Sequence, residues 1–149
     1  MFRGQFLHNI DQKGRVSLPA RFREALESTG DSRVVLAPWP FEPCLHLHSL
    51  AAWEDFESKI SALPRLDRTI NQFRRLHISR ALDMDVDGSG RVRVAPELRA
   101  HAELSKEVLW VGMGSHIELW SKQRYDELTA MTPEQFSEFQ DKVEELIRV

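Results

Sequence analysis

Two short runs of this 149-residue chain gather the side chains best suited to chemistry. The first is Asp11-Gln12-Lys13-Gly14-Arg15-Val16-Ser17-Leu18-Pro19, and the second is Asp87-Gly88-Ser89-Gly90-Arg91-Val92-Arg93. In each, an Asp that can bond forward to backbone N–H groups and a Gly that tolerates positive φ describe a tight turn. Basic side chains follow at once. A guanidinium can grip a phosphate or the edge of a guanine with two parallel bonds, and an ammonium can sit beside a phosphate as a point charge. The chemistry on offer is anion binding, at phosphates or at base edges.

Arg15 is the leading contact, with Lys13 at the turn as a phosphate ligand. Arg3, Arg91 and Arg93 extend the patch, Arg3 because a hairpin would bring it beside the strand of Arg15. Asp11, Gly14, Pro19, Asp87 and Gly90 are the turn and structural positions. The same residues have a second reading, in which Arg15 and Arg91 pair with Asp11 and Asp87 and simply hold the two halves of the chain together. Lys13 is answered by Ser89 and Arg21 by Glu97, so the first run is the more basic and the expected main contact surface.

Other constellations are weaker. Cys44, His46 and His48 alternate along a strand and share a face, which is part of a metal-ligand set. The matching positions in the second half are Glu118 and Trp120, and no fourth ligand is evident. The reading is a polar packing face, with no metal. Asp83-x-Asp85-x-Asp87-Gly88 opens like a calcium loop, but the twelfth position, which should be a bidentate Glu, is Val94, and the ninth is Arg91. The lone cysteine has no paired base, no glycine-rich phosphate loop precedes a helix, and no acid pair sits in an identifiable pocket. No enzyme activity, small-molecule substrate or cofactor is expected. Trp39, Trp53, Trp110 and Trp120 fall at strand and helix positions and read as core or interface rather than as platforms for unpaired bases.

The elements that must position these residues repeat. An offset of 76 carries Asp11 to Asp87, Gly14 to Gly90, Arg15 to Arg91 and Val16 to Val92, and keeps Phe2 over Ile78, Phe6 over Leu82 and Arg23 over Arg99. A repeat of this length decides architecture before local detail does. Each copy reads as strand, turn, return strand, short helix, strand, strand, helix. In the first copy these are 2–10, 11–14, 15–18, a helix from Pro19, 33–36, 44–48 and 50–63. Three prolines between 38 and 43 exclude regular structure there. The second copy answers with strands 108–111 and 117–120 and a helix from Ser121. A linking helix spans 65–75, its Arg65, Arg68, Arg74 and Arg75 read as a solvated face.

Thr132-Pro133-Glu134-Gln135 opens a last helix with a capping box. Its stripe of Phe136, Phe139, Val143, Leu146 and Ile147 requires burial against the domain or a neighbouring subunit. The resulting division is 1–64 for the first unit with its helix, 65–76 for the link, 77–130 for the second unit and 131–149 for the C-terminal helix.

Composition sets limits. Mean hydropathy is −0.40, no apolar run reaches the roughly 20 residues a bilayer demands, and the N-terminus lacks the apolar core of a signal peptide. One cysteine excludes an internal disulfide, which favours the cytoplasm. The net charge of −3 argues against a generally basic nucleic-acid coat. The charge is sorted, however: +3 over residues 1–25, +4 over 65–80 and −5 over 126–149. Sorted charge allows a local anion-binding face on an acidic protein.

The Asp-x-Lys-Gly-Arg-x-x-x-Pro pattern at 11–19, its altered return at 87–91, the opening Met-Phe-Arg-Gly, the Cys-Leu-x-Leu strand at 44–47 and Lys106-Glu-Val-Leu-Trp-Val-Gly112 together resemble the MraZ family across nearly the whole chain. The resemblance implies an α+β fold of tandem AbrB-like repeats (swapped-hairpin, double-psi-type β-barrel units) with short flanking helices and a pseudo-two-fold within one chain. It implies a sequence-specific DNA-binding transcriptional regulator, read as a repressor, of its own division and cell-wall operon. It further implies repeated promoter half-sites, a ring-shaped homo-oligomer, and a cytoplasmic, nucleoid-associated location. The contrasting reading is a structural ring or protein-interaction module with incidental DNA binding, favoured by the acidic C-terminal helix.

Overall fold

The computed structural model describes residues 1–148. Its elements are β1 (Gln5–Asn9), β2 (Arg15–Ser17), α1 (Ala20–Glu27), β3 (Arg33–Trp39), β4 (Cys44–Ser49), α2 (Leu50–Ser61), α3 (Arg68–Leu76), a 3-10 turn (Ile78–Arg80), β5 (Leu82–Asp85), β6 (Arg91–Arg93), α4 (Pro96–Ala102), β7 (Glu107–Gly112), β8 (Ile117–Ser121), α5 (Lys122–Thr129) and α6 (Pro133–Ile147). The class is mixed α+β, with antiparallel strands throughout.

The first correction to the sequence reading concerns pairing. β1 and β2 do not form a hairpin. β1 pairs with β7 of the second repeat, Phe6 opposite Trp110, and β5 pairs with β3 of the first, Val34 opposite Met84. β2 pairs with β6, Val16 opposite Val92. The six-stranded order is β1-β7-β8-β4-β3-β5, with β2-β6 as a separate ribbon. Each motif turn thus sends its two flanking strands to different sheets, an outcome that strand periodicity cannot register because it reports which face is apolar and never which neighbour supplies the hydrogen bonds.

One face of the large sheet and the inner face of the ribbon enclose the main core. Val16 and Val92 from the ribbon strands, with Leu18 and Val94 just beyond them, meet Leu36, Leu45, Trp110 and Leu119 from the sheet, closed by Phe22 and Leu26 of α1 and Leu98 and Ala102 of α4. Trp110 is wholly buried, and its Nε1 donates to the Ser17 carbonyl at 2.9 Å, tying ribbon to sheet. The opposite sheet face carries α2, α3 and α5, with Trp53 against Val35 and Ala37, and Tyr125 against Trp120. The tryptophans read as core are largely so: Trp53, Trp110 and Trp120 are buried, and Trp39 stacks on His46 with centroids 4.6 Å apart.

Three boundaries also differ. β3 runs through Pro38 and Trp39, because β5 stops opposite Leu36 and proline at an unpaired strand side breaks no ladder bond. The Pro38 carbonyl instead accepts from His77 Nδ1 at 2.7 Å. The linking helix spans 68–76 and not 65–75, since the Asp67 side chain caps it by accepting from Ile70 N. The helix after β4 ends at Ser61 rather than Leu63. The capping box of α6 forms as expected, but its apolar stripe is not covered by this chain: Phe136, Phe139, Leu146 and Ile147 are exposed.

Candidate nucleic-acid interface

The two motif turns are near copies in three dimensions. Asp11 Oδ1 accepts from the backbone N–H groups of Lys13 and Arg15, both at 2.9 Å, while Arg15 Nε donates to Oδ2 at 2.7 Å. Asp87 does the same with Ser89 N, Arg91 N and Arg91 Nε at 2.8, 2.9 and 3.0 Å. These bonds, foremost the backbone N–H of Arg15 and of Arg91, hold both carboxyls below the usual carboxylate range. Gly14 and Gly90 close the turns with φ of +83° and +75°, a region in which a side chain is strained.

The turns do more than present arginines. Gly14 faces the second repeat: its carbonyl accepts from Val94 N at 2.7 Å, and a Cβ there would fall on the Val94 carbonyl oxygen. Gly90 mirrors this, accepting from Leu18 N at 2.8 Å and lying under the Arg23 side chain. Arg99 lies against Gly14 in the same way and donates to the Gln12 carbonyl at 3.2 Å. The arginines that brace one repeat against the other are therefore Arg23 and Arg99. Arg15 and Arg91 do pair with Asp11 and Asp87, but within their own turns. The signal for the braces was present, since Arg23 and Arg99 occupy matching repeat positions.

Pairing of β2 with β6 places Arg15 opposite Arg93 and Ser17 opposite Arg91. Side chains alternate across a strand, so with Val16 and Val92 buried these four positions share the outer face. Three of the four are arginines, contributed by both repeats. Directly opposed like charges destabilise a strand pair by roughly 0.2–1 kcal/mol, and this ribbon accepts that cost at its Arg15–Arg93 end. The Nε bonds to Asp11 and Asp87 fix the planes of two guanidiniums and leave their terminal nitrogens for another acceptor. Arg93 is exposed and carries no such tether among the described residues. Lys13 projects from the turn, also exposed.

Arg3 is elsewhere. Phe2 bridges Gly114, the Arg3 backbone abuts Gly112, and its side chain lines a shallow recess with Arg21 and Glu24 of α1. It is not beside β2 because β1 and β2 are not partners. Pro19 is buried at the N-cap of α1. The two flanks of the ribbon differ: the groove holding Arg15, Arg91 and Arg93 is walled by Asp83, Asp85 and Asp87, and the first-repeat positions answering Asp83 and Asp85 are Leu7 and Asn9. Of the linking arginines, Arg74 is engaged with Asn71 and the Ile60 carbonyl, whereas Arg65, Arg68 and Arg75 are exposed.

Comparison with known proteins gives a consistent answer. The family described as "MraZ protein, putative antitoxin-like" matches residues 1–76 and again 78–148. A protein named transcriptional regulator MraZ from Burkholderia cenocepacia strain J2315 is 45% identical over 126 residues, covering 85% of this chain and 86% of its own. Proteins of the same name from Burkholderia vietnamiensis and Burkholderia ambifaria are 46% and 45% identical over 125 residues, each covering 84% of this chain and 85% of its own.

Proposed function

The chain belongs to the MraZ family, and on that premise we propose that it is a transcriptional regulator that reads duplex DNA with the outer face of the β2–β6 ribbon. One observation carries the reading: Arg15, Arg91 and Arg93 stand together on that face, drawn from both repeats, with two of the three guanidiniums pre-oriented by Asp11 and Asp87. A two-stranded ribbon fits the major groove, where arginine recognises guanine bidentately. Lys13 adds a phosphate contact. Arg3 and Arg21 form a separate positive site that would meet DNA only at a distance from the ribbon.

The exchange of β1 and β5 between repeats supports an AbrB-like, swapped-hairpin fold completed within one chain. The proposed targets are repeated half-sites in the promoter of the protein's own division and cell-wall operon, bound by a homo-oligomeric ring as a repressor on the nucleoid. A few arginines per subunit give modest affinity for one site, and several linked subunits raise it steeply. Fluorescence anisotropy on the operon's upstream region against scrambled duplex, at two salt concentrations, tests this. Selective binding that weakens steeply with salt and collapses in folded Arg15→Ala is the expected result. Sequence-blind binding, or an Arg15→Ala protein that binds as well as wild type, overturns it. The second reading, an assembly or protein-interaction module, draws on the uncovered apolar stripe of α6 and predicts affinity for DNA indifferent to Arg15.

A further inference from the structure

On the sheet face away from the ribbon, β4 and β8 pair at the seam between the repeats, with His46 directly opposite Glu118. Under the offset of 72 that relates these strands, position 46 answers 118 and position 44 answers 116. The seam therefore gathers two residues from each repeat: Cys44 and His46 from β4, Glu118 from β8 and His116 from the turn before it. The Cys44 thiol, a His46 ring nitrogen and a Glu118 carboxylate oxygen all lie within 4.8 Å of one another. His46 Nε2 is 3.2 Å and His116 Nε2 3.8 Å from Glu118 Oε2.

Two features distinguish this cluster from ordinary polar packing. Both imidazole Nε2 atoms are buried and lack hydrogen-bond partners, although each faces the same carboxylate oxygen. The His46 side chain is only 8% exposed, so water does not satisfy it. The rest of the shell is already organised. Trp120 Nε1 donates to the other Glu118 oxygen at 2.9 Å, and Trp39 stacks on the His46 ring. Tetrahedral zinc holds its nitrogen, oxygen and sulfur ligands about 2.0–2.3 Å away, which sets them roughly 3.2–3.7 Å apart. The His46–Glu118 separation matches that spacing. A carboxylate oriented by a second hydrogen bond is how outer-shell groups prepare a ligand.

We infer that Cys44, His46 and Glu118 form a site for a zinc-class divalent cation at the seam between the repeats, with His116 approaching from the more exposed side as the fourth ligand. Thiolate, imidazole and carboxylate together suit zinc rather than magnesium or calcium. A metal-bound cysteine is a thiolate, so uptake of the cation releases the Cys44 thiol proton to solvent. The Glu118 carboxylate is already oriented for an ion by the Trp120 Nε1 bond to its other oxygen. The bound ion would clamp β4 to β8, joining the halves where their sheet contact is central. This inference does not depend on the DNA reading.

The test uses the full-length untagged protein, freed of metal and then titrated with Co(II) and with Zn(II). One Co(II) per chain is expected, with tetrahedral visible bands and a near-ultraviolet thiolate-to-metal band, both displaced by one equivalent of Zn(II). Cys44→Ser should lose the thiolate band, and His116→Gln, at the exposed edge, should bind about tenfold more weakly. Circular dichroism verifies that each variant is folded. If Cys44→Ser does not fold, the wild-type spectrum alone decides. Wild type that takes up no stoichiometric metal, or gives no thiolate band, overturns the proposal, as does a His116→Gln protein with unchanged affinity for the assignment of His116.

Discussion

Replacing three glycines of similar φ by alanine should produce three distinct losses of stability, because their surroundings differ. Gly14, Gly90 and Gly30 have φ of +83°, +75° and +79°, so each alanine pays a left-handed backbone cost of about 1–2 kcal/mol. Reduced freedom of the unfolded chain offsets about 0.4–1 kcal/mol of that. At Gly30 nothing lies within 4 Å of the new Cβ, and the net loss should be about 1 kcal/mol. At Gly90 the Cβ meets the Arg23 guanidinium and its stem, a flexible side chain that can move at the expense of its packing. About 2 kcal/mol is expected there. At Gly14 the obstacle is the Val94 backbone carbonyl, in the same stretch whose N–H bonds Gly14 O at 2.7 Å. That backbone cannot move without opening the contact between repeats, and the bond itself is worth about 1 kcal/mol.

Gly14→Ala should therefore cost about 3 kcal/mol, a substantial share of the roughly 5–15 kcal/mol that stabilises a typical domain. Urea unfolding followed by tryptophan fluorescence gives the three values from midpoints at a shared slope. The order Gly14 > Gly90 > Gly30 is the prediction. Equal losses at Gly14 and Gly30 would refute the reasoning that the first turn is locked into the second repeat, leaving φ as the whole cost.

Other consequences are simpler to state. The lowered Asp11 and Asp87 carboxyls contribute stability that is complete above the ordinary carboxylate pKa of about 3.9 and is lost as pH falls through their lower folded values; Asp11→Asn should be less stable than wild type at pH 7, with the gap closing below about pH 4 in denaturant titrations. Trp110→Phe removes the donor to Ser17 O and should cost about 1–2 kcal/mol in urea unfolding, with no loss if that bond does not tie the ribbon down. Arg93→Thr relieves the charge opposed to Arg15, so stability at low salt should rise by about 0.5 kcal/mol while DNA affinity falls. A fall in both would mean that Arg93 is held by a structural partner.

The sequence made the repeat, the two turns and the alternation of Val16 and Leu18 against Arg15 and Ser17 readable, because each rests on local pattern: Asp and Gly at turn positions and apolar residues every second place. Partner choice was not readable. β1 alternates equally well whether it pairs with β2 or β7, and only the crossing of chains at the turns distinguishes them. That single ambiguity moved Arg3 away from the ribbon and set Arg93 opposite Arg15. The same ambiguity hid the polar seam. Cys44, His46 and His48 stood out as one strand face, yet Glu118 entered the set only through the β4–β8 register. Pro38 misled for a related reason, since a proline excludes a strand only where its missing N–H is needed. The α6 stripe called for burial that the chain does not provide.

The central claim, that the ribbon face is the DNA-reading surface, is tested most directly by comparing Arg93→Ala with Arg68→Ala. Arg68 is also an exposed arginine, on α3, away from the ribbon. Anisotropy titrations on the operon's upstream duplex at several salt concentrations should show Arg93→Ala losing about 1–3 kcal/mol of affinity and the preference over scrambled DNA. Arg68→Ala should match wild type in both. Equal effects from the two variants, or a larger one from Arg68→Ala, would contradict the account and move the interface off the ribbon.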